Sequence, residues 1–313
     1  MPIFYKYYSS LPPEYFENPT IKIASPLHLN DPFESLLPAD IKEYIERFAE
    51  ENEKKLEYSK EDVIKSLNNV MRAYGITSFS ETQRNLLMWA HYANQHQGIC
   101  IGYDTDIIFS NEQKKILRED GVINKVNYDS VRHEEFGNIK QINGFAEFIK
   151  YILMKIMLTK GNDWIYEKEH RYIINFSKSD HLKIKTDEVS ANKALSSKIN
   201  EMLADKALIK CEKRSVDDKV ICYTPNKENN LGFGYLSFHE ETSYFLEINP
   251  KSIKKIYFGF RTNNELVYKI CESIMQNRNI YNGIYINRMQ LDKKRFELRI
   301  PAETERMIQP DTP

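Results

Sequence analysis

The chain has 313 residues, 41% of them apolar, and a formal net charge of -1 at pH 7. That length allows one large domain or two smaller ones with a substantial core, and so balanced a charge supplies no global field for nucleic acid or an anionic membrane. The 20 Tyr and 16 Phe against 11 Gly favour a sheet packed with aromatics, and the Gly-rich loops of dinucleotide-binding and P-loop enzymes do not occur.

Taken in order, residues 3–8 alternate apolar and polar side chains, which predicts a short strand stopped by Pro12-Pro13. Residues 21–23 read as a second strand ending at Ser25-Pro26. In Leu29-Asn30-Asp31-Pro32-Phe33-Glu34 a turn is expected, because the residue before Pro is pushed out of the helical region and Asn or Asp bonds its own nearby backbone. Two Lys- and Glu-rich helical patterns at 41–56 and 61–74 form a surface pair, inserted over 38–75 and closed by Gly75. Residues 76–79 are a strand. A helix over 85–94 would place Trp89, Tyr92 and His96 on one face, with His91 about 100° round from Tyr92. Gly98 breaks that helix, and 99–103 reads as a buried strand.

A helix over 106–119 and a strand over 122–128 follow, then an apolar helix over 144–159. Glu147, Lys150 and Lys155 interrupt its apolar run, which argues for a buried amphipathic helix and against a membrane span. Residues 177–219 are polar and Lys-rich, with a helix near 192–204, and are expected to be an insertion with little facing a core. Strands at 220–223 and 231–238 flank a loop at 225–230, and strands at 244–248 and 253–258, a helix at 264–276 and strands at 283–287 and 295–300 complete the pattern. Strands and helices do not alternate regularly, so the expected class is α+β: a mixed, mainly antiparallel sheet with peripheral helices and helical insertions. We expect one domain over 1–300 and a flexible tail at 301–313. Cys100, Cys211, Cys222 and Cys271 include no C-x-x-C pair, so spacing points neither to zinc nor to a redox dithiol. No secretory signal is visible, and the cytoplasm is the expected compartment, with no membrane partner.

Chemistry concentrates in Trp164-Ile165-Tyr166-Glu167-Lys168-Glu169-His170-Arg171. If 167–174 is extended, Glu167, Glu169 and Arg171 share a face at spacings of about 6–7 Å. Two ionised carboxylates there repel unless a cation or ligand lies between them, and Arg171 is the cation the same face supplies. The row is either a Glu-Arg ladder on a solvated strand or part of a site. His91-Tyr92, ahead of the Gly98 break, forms a second cluster, although such a histidine is ordinarily a satisfied boundary residue. A cleft joining Asn30, Asp31, Glu34, His91, Tyr92, Glu167, Glu169 and Arg171 is expected.

The ordered motifs Phe4-Tyr5-Lys6-Tyr7, Leu29 to Glu34, Ser78-Phe79-Ser80, Met88 to Ala93, Gly98 to Tyr103 and Trp164 to Arg171 resemble the bacterial family called domain of unknown function 2971. Its members are similar to proteins of mobile elements and phage-defence loci, which implies an effector or toxin setting. More distantly, the layout is similar to the ADP-ribosyltransferase superfamily, with Glu167-x-Glu169 like its paired glutamates. That likeness implies NAD as substrate and no bound metal. It gives Glu169 the nicotinamide-ribose hydroxyl and an oxocarbenium-like centre, and gives Glu167 a protein or nucleic-acid acceptor to orient or deprotonate. Tyr92 would stack on nicotinamide and Tyr5 or Tyr7 would lie near the adenosine ribose. His91 joins the catalytic set, and Asn30, Asp31 and Arg171 the nucleotide-binding set. Lys6 and Tyr7 stand where that superfamily usually has His or Arg. Two other readings use the same residues: a nuclease with Asp31, Glu34, His91, Glu167 and Glu169 around a divalent cation, and a non-catalytic sensor holding a nucleotide or peptide.

Overall fold

The computed structural model describes residues 3–34, 36–51, 59–109, 123–132, 142, 144–211, 220–226, 233–239 and 241–301. Its strands are β1 (Ile3–Tyr8), β2 (Thr20–Ile23), β3 (Tyr74–Ser80), β4 (Ile99–Asp104), β5 (Asn124–Lys125), β6 (Asn127–Asp129), β7 (Thr159–Gly161) and β8 (Glu169–Asn175). They continue with β9 (His181–Lys185), β10 (Leu208–Cys211), β11 (Val220–Pro225), β12 (Thr242–Glu247), β13 (Ile253–Phe258), β14 (Tyr285–Arg288), β15 (Gln290–Leu291) and β16 (Leu298–Arg299). The α-helices are α1 (Ile41–Glu51), α2 (Lys60–Ala73), α3 (Leu86–Tyr92), α4 (Phe145–Met157), α5 (Thr186–Ala191), α6 (Lys193–Ala204) and α7 (Asn264–Gln276).

Two sheets dominate. The larger has seven strands in the order β14-β13-β4-β1-β3-β8-β5, and the smaller five in the order β10-β11-β9-β12-β2. Every neighbouring pair in both is antiparallel except β13 with β14, so the α+β class with a mixed, mainly antiparallel sheet holds. The sheets are stitched where β2 runs out. Ala24 and Ile76 exchange two backbone hydrogen bonds of 2.8 Å, and Thr77 Oγ1 donates to Lys22 O at 2.9 Å.

Period-two alternation gives the large sheet two different faces. Phe79, Ile101, Tyr103, Tyr172 and Ile174 pack towards the small sheet and α7 in the main core. On the opposite face, Ile76 and Ile173 pack under α1, α2 and α4, and Tyr5, Tyr7, Cys100 and Tyr257 pack under α3. Between those two apolar clusters the face turns polar: Ser78 opposes Arg171, and Ser80 opposes both Tyr5 and Glu169. A candidate site therefore sits on one sheet face, walled by helices on both sides.

Several expectations change with packing. The 177–219 stretch contributes β9, α5, α6 and β10, and Leu182, Ile184, Leu195, Ile199 and Met202 are core residues, so more than a polar insertion lies there. Of the strand expected at 231–238, residues 233–238 form a 3-10 helix, because Phe233 and Leu236 are buried three apart, the period of that helix. The strand expected at 295–300 shrinks to β16, since Asp292 Oδ1 accepts from the backbone of Lys294 and Arg295 and holds a turn. Gly75 does not end α2; it lies inside β3. The helix expected at 106–119 falls largely outside the described residues, and 106–109 are turn and bend. The tail beyond 301 also lies outside them. Among the described residues no helix is long and apolar enough to cross a membrane.

The helix expected at 85–94 ends at Tyr92, and Asn94, Gln95 and His96 turn left-handed, with φ of 43°, 52° and 70°. His96 thus leaves the face of Trp89 and Tyr92 and packs on Phe260, ring centres 5.0 Å apart. Two glycines make this turn fit. A Cβ on Gly98 would lie 2.1 Å from Tyr8 O, and one on Gly259 would lie 2.0 Å from His96 O. Backbone cannot yield as a side-chain tip can, so Gly98→Ala is expected to lower unfolding stability by about 1–3 kcal/mol. Urea denaturation of the variant tests this; an unchanged midpoint would contradict it.

Candidate functional site

The backbone delivers the polar residues from five segments. The Asn30-Asp31-Pro32 turn forms as the sequence predicts, with Asp31 Oδ1 accepting from Phe33 N at 2.9 Å, and it brings Glu34 over the sheet. Helix α3 begins at Asn85, whose Oδ1 accepts from Leu87 N at 2.8 Å while its Nδ2 donates to Tyr166 O at 2.8 Å. This one side chain caps α3 and fixes the approach to β8, leaving Tyr92 at the far end of α3 above Glu167. Helix α4 runs into β7, which presents Lys160. Residues Asn162–Glu167 then form a 3-10 helix and Lys168 turns left-handed at φ 47°, so Glu167 is not on the strand. Only Glu169 and Arg171 share the expected strand face; Glu167 reaches them around the turn.

The resulting ion cluster is buried. Arg171 is 1% exposed and Glu169 3%. Arg171 Nε and Nη2 donate to Glu169 Oε1 and Oε2 at 2.8 and 2.9 Å, a bidentate pair, while Nη1 donates to Met157 O at the end of α4 at 2.6 Å and Nη2 also meets Glu34 Oε2. Lys160 Nζ lies 2.7 Å from Glu167 Oε2, 3.2 Å from Glu34 Oε1 and 3.3 Å from Glu169 Oε2, and 4.6 Å from the centre of the Trp164 ring. Tyr92 donates its hydroxyl proton to Glu167 Oε1 and receives Asn30 Nδ2 at 3.1 Å. Beneath, Ser80 Oγ donates to Glu167 O at 2.7 Å and Glu169 N donates to Tyr128 OH at 2.8 Å.

Three carboxylates thus share two cations, and their protonation divides accordingly. Burial disfavours charge on Glu169, but Arg171 and Lys160 outweigh it and hold this carboxyl down to about 2. Burial prevails over Arg171 and Lys160 at Glu34 and over Lys160 at Glu167, and both carboxyls rise above the usual range. Lys160 and Arg171 are pushed up despite burial, because the carboxylates surround them. Burial and the Glu167 charge raise Tyr92, which therefore acts as a donor.

A cavity of about 140 Å³ opens onto this cluster, with Tyr5, Tyr7, Asn30, Tyr92, Glu167, Glu169 and Arg171 in its wall. Two expected members lie elsewhere. His91 is exposed, its ring centre 6.2 Å from that of Tyr166 and outside the cavity wall. A surface helix face wins over the strand mouth there, because the rotation of about 100° between consecutive helical residues points His91 away from Tyr92. Asp31 is buried but lines an adjoining groove of about 360 Å³, which shares Glu34 and Lys160 with the cavity. Sequence reasoning missed Lys160. The expected cleft held four acids against one Arg, and that deficit was the signal that a second cation had to come from elsewhere.

Residues 88–172 match the family described as protein of unknown function (DUF2971). The matched span holds Tyr92, Lys160, Glu167, Glu169 and Arg171, while Tyr5, Tyr7, Asn30 and Glu34 precede it. No curated protein and no solved structure matches the chain.

Removing one partner of a buried ion cluster leaves charge uncompensated, so Lys160→Ala is expected to cost about 3–5 kcal/mol in urea unfolding, against little for an exposed lysine such as Lys185. The lowered carboxyl of Glu169 contributes stability that is fully present above about 4.5 and lost as pH falls towards about 2. The stability gap between wild type and Glu169→Gln should therefore stay level above that window and narrow below it; a gap that widens on acidification would refute the assignment.

Proposed function

We propose that the cavity is the active site of an NAD-consuming enzyme of the ADP-ribosyltransferase kind. The supporting observation is the convergence of Tyr5, Tyr7, Asn30, Tyr92 and both glutamates on one cavity, residues that the sequence spreads over 165 positions between Tyr5 and Glu169. The cavity has room for a single ring system, which suits the nicotinamide-ribose end, with the remainder of the nucleotide running outward.

The roles differ from those the resemblance implies. Both oxygens of Glu169 are held by Arg171 and Lys160, so this residue anchors the site. Glu167 takes the hydroxyl of Tyr92 on one oxygen and the Lys160 ammonium on the other but is free of the guanidinium fork, and it is the carboxylate that would meet the reacting sugar. As the glycosidic C–N bond breaks, its electron pair leaves with nicotinamide and positive charge develops at the anomeric carbon. A carboxylate there favours that state over the bound substrate. Water or a nucleophile of a macromolecule then bonds to the carbon and gives its proton to Glu167, whose raised proton affinity suits a general base. Consumption of NAD would make the protein an effector or toxin. A metal-dependent nuclease fits less well, because the Lys160 ammonium already lies among the three carboxylates that would have to ligate the cation.

The saturation of Glu169 also favours a second reading, a binding module without turnover. One experiment separates the two: calorimetric titration of the full chain with NAD, followed by mass spectrometry for nicotinamide, for wild type and Glu167→Gln. The enzyme reading expects release by wild type and a loss of about 10²–10⁴-fold in the variant with NAD binding retained. Binding without nicotinamide release supports a module that holds the nucleotide, and absence of NAD binding overturns the enzyme reading and that module alike.

A further inference from the structure

The small sheet carries a second constellation, which shares no residue with the ion cluster. Strands β10, β11 and β9 are consecutive neighbours, and Cys211 lies directly opposite Cys222 across the first pair. Cys222 opposes Lys183, so His181, two residues earlier on β9, shares its face diagonally. One imidazole nitrogen of His181 and the two Sγ atoms all lie within 4.8 Å of one another. The neighbours Leu182, Ile184, Leu208 and Tyr223 belong to the main core, whereas Cys222 and His181 point to the other face and yet are 0% and 4% exposed. Two thiols and an imidazole are the donor set of soft, tetrahedral metal sites.

A further contact orients the imidazole. His181 Nε2 and Glu247 Oε1 are 2.8 Å apart, and Glu247 is itself placed by its backbone N, which donates to Asp180 Oδ2 at 2.8 Å. A proton on Nε2 directed at that carboxylate puts the ring lone pair on Nδ1. Metal-bound imidazoles commonly have a carboxylate on their other nitrogen, which fixes the tautomer and raises basicity.

We propose that His181, Cys211 and Cys222 form a zinc site that clamps the edge strand β10 to β11 and β9, with a fourth position open to water. Binding converts both thiols to thiolates and releases two protons per ion, which leaves the two sulfurs and Zn²⁺ electrically neutral. The separation of the ligands over three strands explains why spacing in the sequence shows no zinc motif.

The test loads the purified, reduced full chain with Zn²⁺ alone and, in parallel, with Co²⁺ alone. One zinc per chain and a thiolate-to-cobalt charge-transfer band with tetrahedral d–d absorption are expected. Cys211→Ser and Cys222→Ser should each abolish the band. Cys211 is only partly buried, which lets its variant keep the fold if Cys222→Ser does not. Glu247→Gln should weaken affinity about 10–100-fold while keeping the spectrum. The proposal is overturned by absence of the band in wild type or by its survival in Cys211→Ser.

Discussion

Everything on the functional face depends on neutralising Glu34, Glu167 and Glu169 away from water. A lone ionised carboxylate in such a place is unsustainable, and two cations with matched geometry make three of them tolerable. Arg171 supplies a planar fork that satisfies Glu169 twice and still reaches the last carbonyl of α4 and Glu34. Lys160 supplies a compact charge that the three acids share. The cluster therefore does for the site what apolar packing does on either side of it: it fixes where the early turn, α4, β7, the 3-10 helix and β8 lie relative to one another.

Much of this was legible in the sequence, for identifiable reasons. Glu169 and Arg171 alternate on a strand whose next residues are apolar, so their shared face followed from period two. The Asn-Asp-Pro turn followed from side-chain chemistry. The sequence pairs Glu167 with Glu169 on one strand face, but no pattern in Tyr166-Glu167-Lys168 announces the left-handed Lys168 that ends the 3-10 helix and keeps Glu167 off the strand. Lys160 was illegible because β7 is three residues long and has no alternation to read. The small sheet hid its three-strand cluster for a related reason: local polarity resembled an insertion, and only the pairing of β9 with β11 and β12 shows which of its residues face a core.

The same electrostatics divides the labour between the two glutamates. A carboxylate drawn down by bidentate guanidinium contact is a poor proton acceptor, however central its position. One that burial pushes up, with a tyrosine hydroxyl on one oxygen and an ammonium on the other, holds a proton more readily than its neighbour. Contact with the guanidinium and proton affinity thus run in opposite directions between the two glutamates.

The order of the charges along the chain carries a consequence for synthesis on the ribosome. Glu34 is made well over a hundred residues before Lys160 and Arg171. Strands β3 and β4 can pair with β1 as soon as Asp104 has emerged, but Lys160 and Arg171, the cations that pair with Glu34, arrive only with β7 and β8. Desolvating that carboxylate alone would cost more than the local contacts return. The early turn must therefore stay hydrated while the sheet grows beneath it, and it closes over the site only when the two cations arrive, which makes assembly of the pocket a late and charge-gated event in the life of the nascent chain.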